Sequence, residues 1–288
     1  MVKLPPAEVL FQFFLEYAKN PRVRTSILHD LHSLYKSKKT TALLLKEIRE
    51  KQIIVGPFIY CNSGIDVEIK FQNEVEDPIG LLGECKNDPE VTRAVALCGE
   101  HSFICFRKGA SLLTYAEAIR PTLNSGFKIG DMELKEKEKL PVDPYPHGWD
   151  ELDWEIYHMM RNPRISFARV SGKLKSAGKS DVTWKTIETR YKRVLNDCKI
   201  WISFFPNGYE NYSQTFLTFK TEYETEIRRN LQNLDRTTFL YKIGDIIMLN
   251  LFLDNNIEHR IFLKLKKEGL IHDLHVSIPL HFRNPFRF

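Results

Sequence analysis

Asn162-Pro163-Arg164-Ile165 repeats Asn20-Pro21-Arg22-Val23 at a distance of 142 positions. In both places the motif follows an amphipathic helical pattern, carried by Val9, Phe13, Leu15 and Tyr17 in one copy and by Leu152, Ile156, Met159 and Met160 in the other. Further on, Gly99-Glu100 closes one apolar run and Gly244-Asp245 closes another, an offset of 145. A drift of a few residues over such a span is what surface-loop insertions produce. The chain therefore reads as a tandem duplication. Between the copies, an alternating charged tail from Met132 ends in Pro141, Pro144 and Pro146, which places a linker at 141–148.

Each copy divides where its period changes. In the second copy, Asp150–Arg161, Ser166–Ala177 and Val182–Asn196 carry helical periodicity, the last with a stripe of Ile187, Tyr191, Val194 and Leu195. The apolar Ile200-Trp201-Ile202 follows as a strand. Three short helices and a strand form a winged helix-turn-helix pattern. Beyond it come strand Ser213–Lys220, helix Glu222–Leu234, strands Thr237–Lys242 and Ile246–Leu253, helix Ile257–Lys267 and strand Ile271–Leu280, in the order βαββαβ. The first copy is expected to repeat this with strand Ile65–Phe71, helix Pro78–Glu84, strands Thr92–Leu97 and Ser102–Phe106, helix Leu112–Ile119 and strand Phe127–Leu134. The expected fold class is α+β, with winged helix-turn-helix modules at 1–60 and 149–205 and ferredoxin-like βαββαβ modules at 61–140 and 206–288. A four-stranded sheet with both helices on one face leaves the other face bare. The two sheets are expected to cover each other inside one chain, as an intramolecular pseudodimer.

The 288 residues are 43% hydrophobic and 27% charged, which excludes a disordered or collagen-like chain. The most apolar stretch, Lys242–Leu253, is too short for a membrane span and contains Asp245, and no secretory leader is legible at the N-terminus. Five cysteines without a CxxC pair read as reduced core residues, so the expected location is cytoplasmic. The net charge of +5 falls wholly in the second part of the chain: up to residue 144 there are 20 basic against 20 acidic residues, and from Tyr145 there are 22 against 17. Arg161–Lys199 has a local net charge of +8 and Lys19–Lys51 one of +6. His29-x-x-His32 has no further ligand at metal spacing, and no Gly-rich phosphate loop, nucleophile elbow or HExxH helix is present. No cofactor or metal is expected.

The third helix of the second copy, Thr183-Trp-Lys-Thr186-Ile187-Glu-Thr-Arg190-Tyr-Lys-Arg-Val194-Leu-Asn-Asp-Cys198-Lys-Ile200, resembles the Ser-x-x-Thr-Val-x-x-Arg-Val-x-x-Leu-Glu-x-x-Gly-Val-Ile pattern of the leucine-responsive regulatory protein/AsnC (feast/famine) family. Leu152-Asp153-Trp-Glu-Ile156 is similar to that family's opening Leu-Asp-x-x-Ile. In the first copy Ser37–Ile54 follows the third-helix pattern with Leu44 at the Arg place and Thr41 at the Val place, and both copies lack the glycine before the strand. The resemblance covers nearly the whole chain as a tandem pair, whereas family members usually carry one copy. It implies an archaeal transcription regulator whose βαββαβ (RAM-type) modules sense a small metabolite such as an amino acid, with Gly99, Glu100, His101, Gly244 and Asp245 at the effector site. It also implies double-stranded DNA as partner, a homo-oligomer as the alternative to a lone chain, and no enzymatic activity.

DNA reading needs cations for phosphates and short polar donors for base edges in the leading turns of a helix. Lys179, Ser180, Thr183, Trp184, Lys185 and Thr186, followed by Arg190 and Arg193, supply these in the second copy. Ser37, Lys38, Lys39 and Thr40 supply them in the first. Arg190 has the alternative of pointing inward to hold the helix pair. The enzyme alternative is specific: siroheme decarboxylases of the alternative haem pathway are built from the same two modules and work as pairs of related subunits. His101 and Arg107 are this chain's candidates for such a role, and a ligand sensor or scaffold that binds no DNA is the third reading.

Overall fold

The computed structural model describes residues 4–32, 37–109, 112–123, 126–179, 181–254 and 258–283. The chain divides into two compact units, one of Met1–Cys61 with Pro144–Ser203 and one of Asn62–Asp143 with Phe204–Phe288. The first unit gathers the helical parts of both copies. It contains α1 (Ala7–Lys19), α2 (Thr25–His32), α3 (Lys38–Glu50) and β1 (Ile54–Tyr60) from the first copy. The second copy adds α5 (Glu151–Met160), α6 (Phe167–Ser176), α7 (Trp184–Asn196) and β6 (Lys199–Phe204), the strand that leads out of the unit. β1 and β6 pair as a two-stranded sheet.

Polar side chains open these helices. Ser37, Ser166 and Thr183 accept hydrogen bonds from the backbone N–H of Lys39, Arg169 and Thr186, and Asp150 and Asp153 form a reciprocal capping pair on α5. Each satisfies a donor that helix geometry leaves free. The apolar stripe of α7, Ile187, Tyr191 and Val194, is buried against Ile156, Tyr157 and Met160 of α5 and Val170 and Leu174 of α6. The Asn-Pro-Arg repeats join the two copies. The Arg22 guanidinium donates to the carbonyls of Pro163 and Ile165 and lies 4.0 Å over the Phe167 ring, while Arg164 lies 4.8 Å over Tyr17.

The second unit is an antiparallel eight-stranded sheet in the order β2-β4-β3-β10-β7-β9-β8-β5. Its strands are β2 (Ile65–Phe71), β3 (Val91–Gly99), β4 (His101–Lys108), β5 (Leu113–Ile119), β7 (Ser213–Thr221), β8 (Thr238–Ile243), β9 (Ile246–Leu253) and β10 (Ile271–Arg283). Helices α4 (Pro78–Glu84), α8 (Glu224–Gln232) and α9 (Arg260–Lys267) complete it. The second copy keeps the expected β7-α8-β8-β9-α9-β10 order and the strand neighbours 10-7-9-8.

The first copy departs from the expectation. Its helix at 112–119 is instead strand β5, which pairs with β8 of the other copy from Leu113↔Ile243 to Ile119↔Thr238. The strand expected at 127–134 is irregular apart from a 3-10 turn at Ile129–Asp131. Ile129, Met132 and Leu140 instead enter the core formed by Ile227 and Leu231 of α8 and Phe262 and Leu265 of α9. The strands of the two copies form one continuous sheet joined by β3–β10 and β8–β5 pairing, in place of the two separate sheets expected. The ring of Phe106 on β4 meets that of Tyr241 on β8 at 5.3 Å, and Arg93 on β3 donates to the Tyr241 hydroxyl at 2.6 Å. β3 and β4 are not neighbours of β8 in the sheet, so these contacts cross its interior.

Candidate functional site

A pocket of about 280 Å³ opens in the sheet unit, lined by Ile69 and Phe71 of β2, His101 of β4, Thr218–Lys220 of β7, Ile246 of β9 and Asp273 and His275 of β10. Gly99 makes the turn that leads into His101. With φ +134° it makes a turn in which an added Cβ would stand 2.5 Å from the Val276 carbonyl oxygen, and that closeness lets Glu100 N donate to the Val276 carbonyl and His101 N to Ser277 Oγ. β10 supplies one side through an irregularity between His272 and His275, where Asp273 has φ +50°.

His101 and His275 thus come together from opposite ends of the chain, their rings 5.1 Å apart, with Phe71 at 5.0 Å from one and 5.4 Å from the other. His101 Nε2 lies 2.6 Å from Thr218 Oγ1, and its Nδ1 is buried without a hydrogen-bond partner among the described residues. Burial, then the neighbouring His275, pushes the His101 pKa down to about 4, so this imidazole is neutral at pH 7. His275 Nδ1 lies 2.5 Å from Glu100 Oε2, which fixes its ring. Lys220 pairs with Asp245 at 3.2 Å and Asp273 at 3.4 Å. A buried neutral imidazole beside a carboxylate-held imidazole and apolar side chains can handle a proton.

Of the residues expected at an effector site, His101 lines this pocket, Glu100 holds His275, and Asp245 adjoins through Lys220. Gly99 and Gly244, with φ +60°, form the two hairpin turns. Arg107 is elsewhere, paired with Asp88 at 3.1 Å. Reasoning from sequence missed Phe71, Thr218, Lys220 and His275. The alternation of the β10 segment gave no hint of a bulge.

The residues expected to read DNA are placed as follows. Lys179 pairs with Glu155 at 2.8 Å and Glu151 at 3.4 Å. Arg190 pairs with Asp150 and, at 3.2 Å, with Asp153, and Arg193 also pairs with the fully buried Asp153. These two arginines hold α7 to α5. Thr183 is the cap of α7, with its Oγ1 3.0 Å from that of Thr186, and Trp184 stands half exposed with the Lys185 amine 5.7 Å from its ring centre. In the first copy Ser37 caps α3, Lys38 pairs with Asp30 at 3.5 Å, and Lys39 and Thr40 lie in the first turn of α3. Ser180 lies outside the described residues. Among the described residues there is no group of three or more His, Cys, Asp or Glu placed to hold a metal, and no helix is long and apolar enough to cross a membrane.

No family model matches the sequence, and no curated protein matches it. Two solved structures are similar to it: the siroheme decarboxylase NirDL, and NirDL in co-complex with an iron-uroporphyrin III analogue. Each matches at a TM-score of 0.52 and 10% identity, over 94% of this chain and 91% of that chain. The likeness shows a shared mixed α+β fold with antiparallel strands. It also corrects the expectation that the chain is not an enzyme, because both of these similar structures are of a decarboxylase.

Proposed function

We propose that the chain is a decarboxylase acting on a carboxylate-bearing tetrapyrrole of the siroheme type, with the reacting arm of the substrate in the His101 pocket. Its modules are then winged helix-turn-helix and RAM-type units of the Lrp/AsnC kind. The observation that carries this reading is the fold likeness to siroheme decarboxylase along nearly the whole chain. The pocket supports it chemically. At about 280 Å³ it is of a size for one carboxylate arm, with the macrocycle outside.

Decarboxylation breaks a carbon–carbon bond, releases carbon dioxide and leaves an electron pair on carbon that must take up a proton. The apolar side chains of Ile69, Phe71 and Ile246 offer the carboxylate a less polar surrounding than water, which disfavours its localised charge relative to the dispersed charge of the transition state. His101, neutral at pH 7, adds no counter-charge beside the carboxylate. His275, half exposed and oriented by Glu100, is placed to deliver the proton and recover it from solvent.

Sequence-specific DNA binding is the second reading, favoured by the exposed Trp184 and Lys185 at the start of α7. It has less support, because Lys179, Arg190 and Arg193 are engaged by carboxylates of the same unit. An anaerobic titration with siroheme tests the proposal. Saturable change of the siroheme absorbance bands, weakened in His101→Ala, supports it. An unperturbed spectrum, together with a salt-sensitive mobility shift of duplex DNA, would favour the second reading.

A further inference from the structure

The helical unit has a cavity of its own, an open groove of about 700 Å³. Its floor is the crossed pair of Asn-Pro-Arg repeats, where Arg22 lies over Phe167 and Arg164 over Tyr17. Arg24 before α2 and Arg49 of α3 line it as well, and so do Trp184 and Glu188 from α7. Four guanidinium groups therefore face one space. Among the described residues none of the four has an ion pair with a carboxylate within 4 Å; the acid of the lining, Glu188, is paired with Lys192 at 3.1 Å and acts on Arg22 at longer range.

Arg22 and Arg164 tie the two copies together. Arg24 and Arg49 make no such tie. Arg24 is exposed, and Arg49 donates Nε to the Leu45 carbonyl of its own helix. Like charges gathered in a concave, partly apolar space focus a positive potential and repel one another unless an anion neutralises them. Burial chiefly pushes the Arg164 pKa down, Tyr17 opposes this, and the charge of Arg49 adds a smaller push in the same direction. Trp184 is the second observation. Half of this large ring faces water in the first turn of α7, at the wall of the groove, where a planar ligand could cover it. A helix that reads a duplex must protrude, yet Trp184 and Glu188 line a recess.

We propose that this groove binds a nucleoside polyphosphate, its phosphates held by Arg24, Arg49 and Arg164 and its base stacked on Trp184. Guanidinium forks suit phosphate oxygens, and a base on an indole face is a sequence-independent stacking contact. The site is separate from the His101 pocket, which lies in the other unit, so the two proposals stand or fall independently.

Calorimetric titration of the full chain with ADP, adenosine and inorganic pyrophosphate tests it. ADP is expected to bind saturably, pyrophosphate more weakly by roughly tenfold and adenosine not measurably. Arg24→Ala with Arg49→Ala should lower ADP affinity by about tenfold or more. Trp184→Leu should remove the preference for ADP over pyrophosphate. Circular dichroism of both variants should match the parent. No saturable heat from ADP at millimolar concentration would overturn the proposal, as would equal ADP affinity in the double variant. Binding of a DNA duplex but not of ADP, lost in the same variants, would overturn it in favour of nucleic acid.

Discussion

Arg22→Ala tests the contact that joins the two helical copies. The guanidinium donates to two carbonyl oxygens of the other copy, those of Pro163 and Ile165, and stacks on Phe167. Hydrogen bonds from a charged donor are worth about 1.5–3 kcal/mol each and an arginine–aromatic contact about 0.5–2 kcal/mol. Against this stand about 2 kcal/mol of side-chain entropy regained on truncation and partial hydration of the two carbonyls. The net loss is about 2–3 kcal/mol, a large fraction of the roughly 5–15 kcal/mol that holds a domain folded. Trp149, Trp154, Trp184 and Trp201, all the tryptophans of the chain, lie in this unit, so their fluorescence during urea unfolding reports on it alone. With a slope of about 1–3 kcal/mol per molar urea, the midpoint should fall by roughly 1–2 M. Arg24→Ala, which removes an exposed side chain, is the control and should stay within about 0.5 kcal/mol of the parent. If Arg22→Ala is no more harmful than Arg24→Ala, the crossed repeats do not join the copies.

Three further outcomes are expected. Gly99→Ala should cost the sheet unit about 1–3 kcal/mol more than Gly244→Ala, since a Cβ at 99 meets backbone at 2.5 Å while nothing lies within 4 Å at 244; calorimetric melting of both variants measures it. Asp153→Asn should destabilise the helical unit by about 3 kcal/mol, because it uncharges a fully buried partner of Arg190 and Arg193, and the tryptophan signal in urea reads this. His101, held near pKa 4 in the fold and ordinarily near 6.5, binds its proton more readily unfolded. Its contribution is therefore complete above pH 6.5 and shrinks as pH falls toward 4, so His101→Gln should flatten the melting temperature against pH in that window.

Much of the second copy was legible because local signals agreed. Alternation over Ser213–Lys220, the Gly244-Asp245 turn and the helical periodicity of Asp150–Arg161, Ser166–Ala177 and Val182–Asn196 each match an observed element. The segment at 112–119 misled for a physical reason. Leu-Leu-Thr-Tyr-Ala-Glu-Ala-Ile is rich in helix formers, but pairing with β8, more than a hundred residues away, outweighs that preference. Ile129, Met132 and Leu140 pack into the core formed with α8 and α9, a role no periodicity announces. At the pocket, His101 was legible from its place beside a turn glycine. Phe71, Thr218 and His275 were not, because a strand register and a bulge bring them there.

The most direct measurement of the central proposal is a mass spectrum of siroheme after anaerobic incubation with the full chain, set beside the same incubation with His101→Ala and with His275→Ala. Products lighter by one or two molecules of carbon dioxide, formed by the parent and strongly reduced in both variants, are the result expected. Siroheme recovered with its mass unchanged, despite binding to the folded parent, would contradict it.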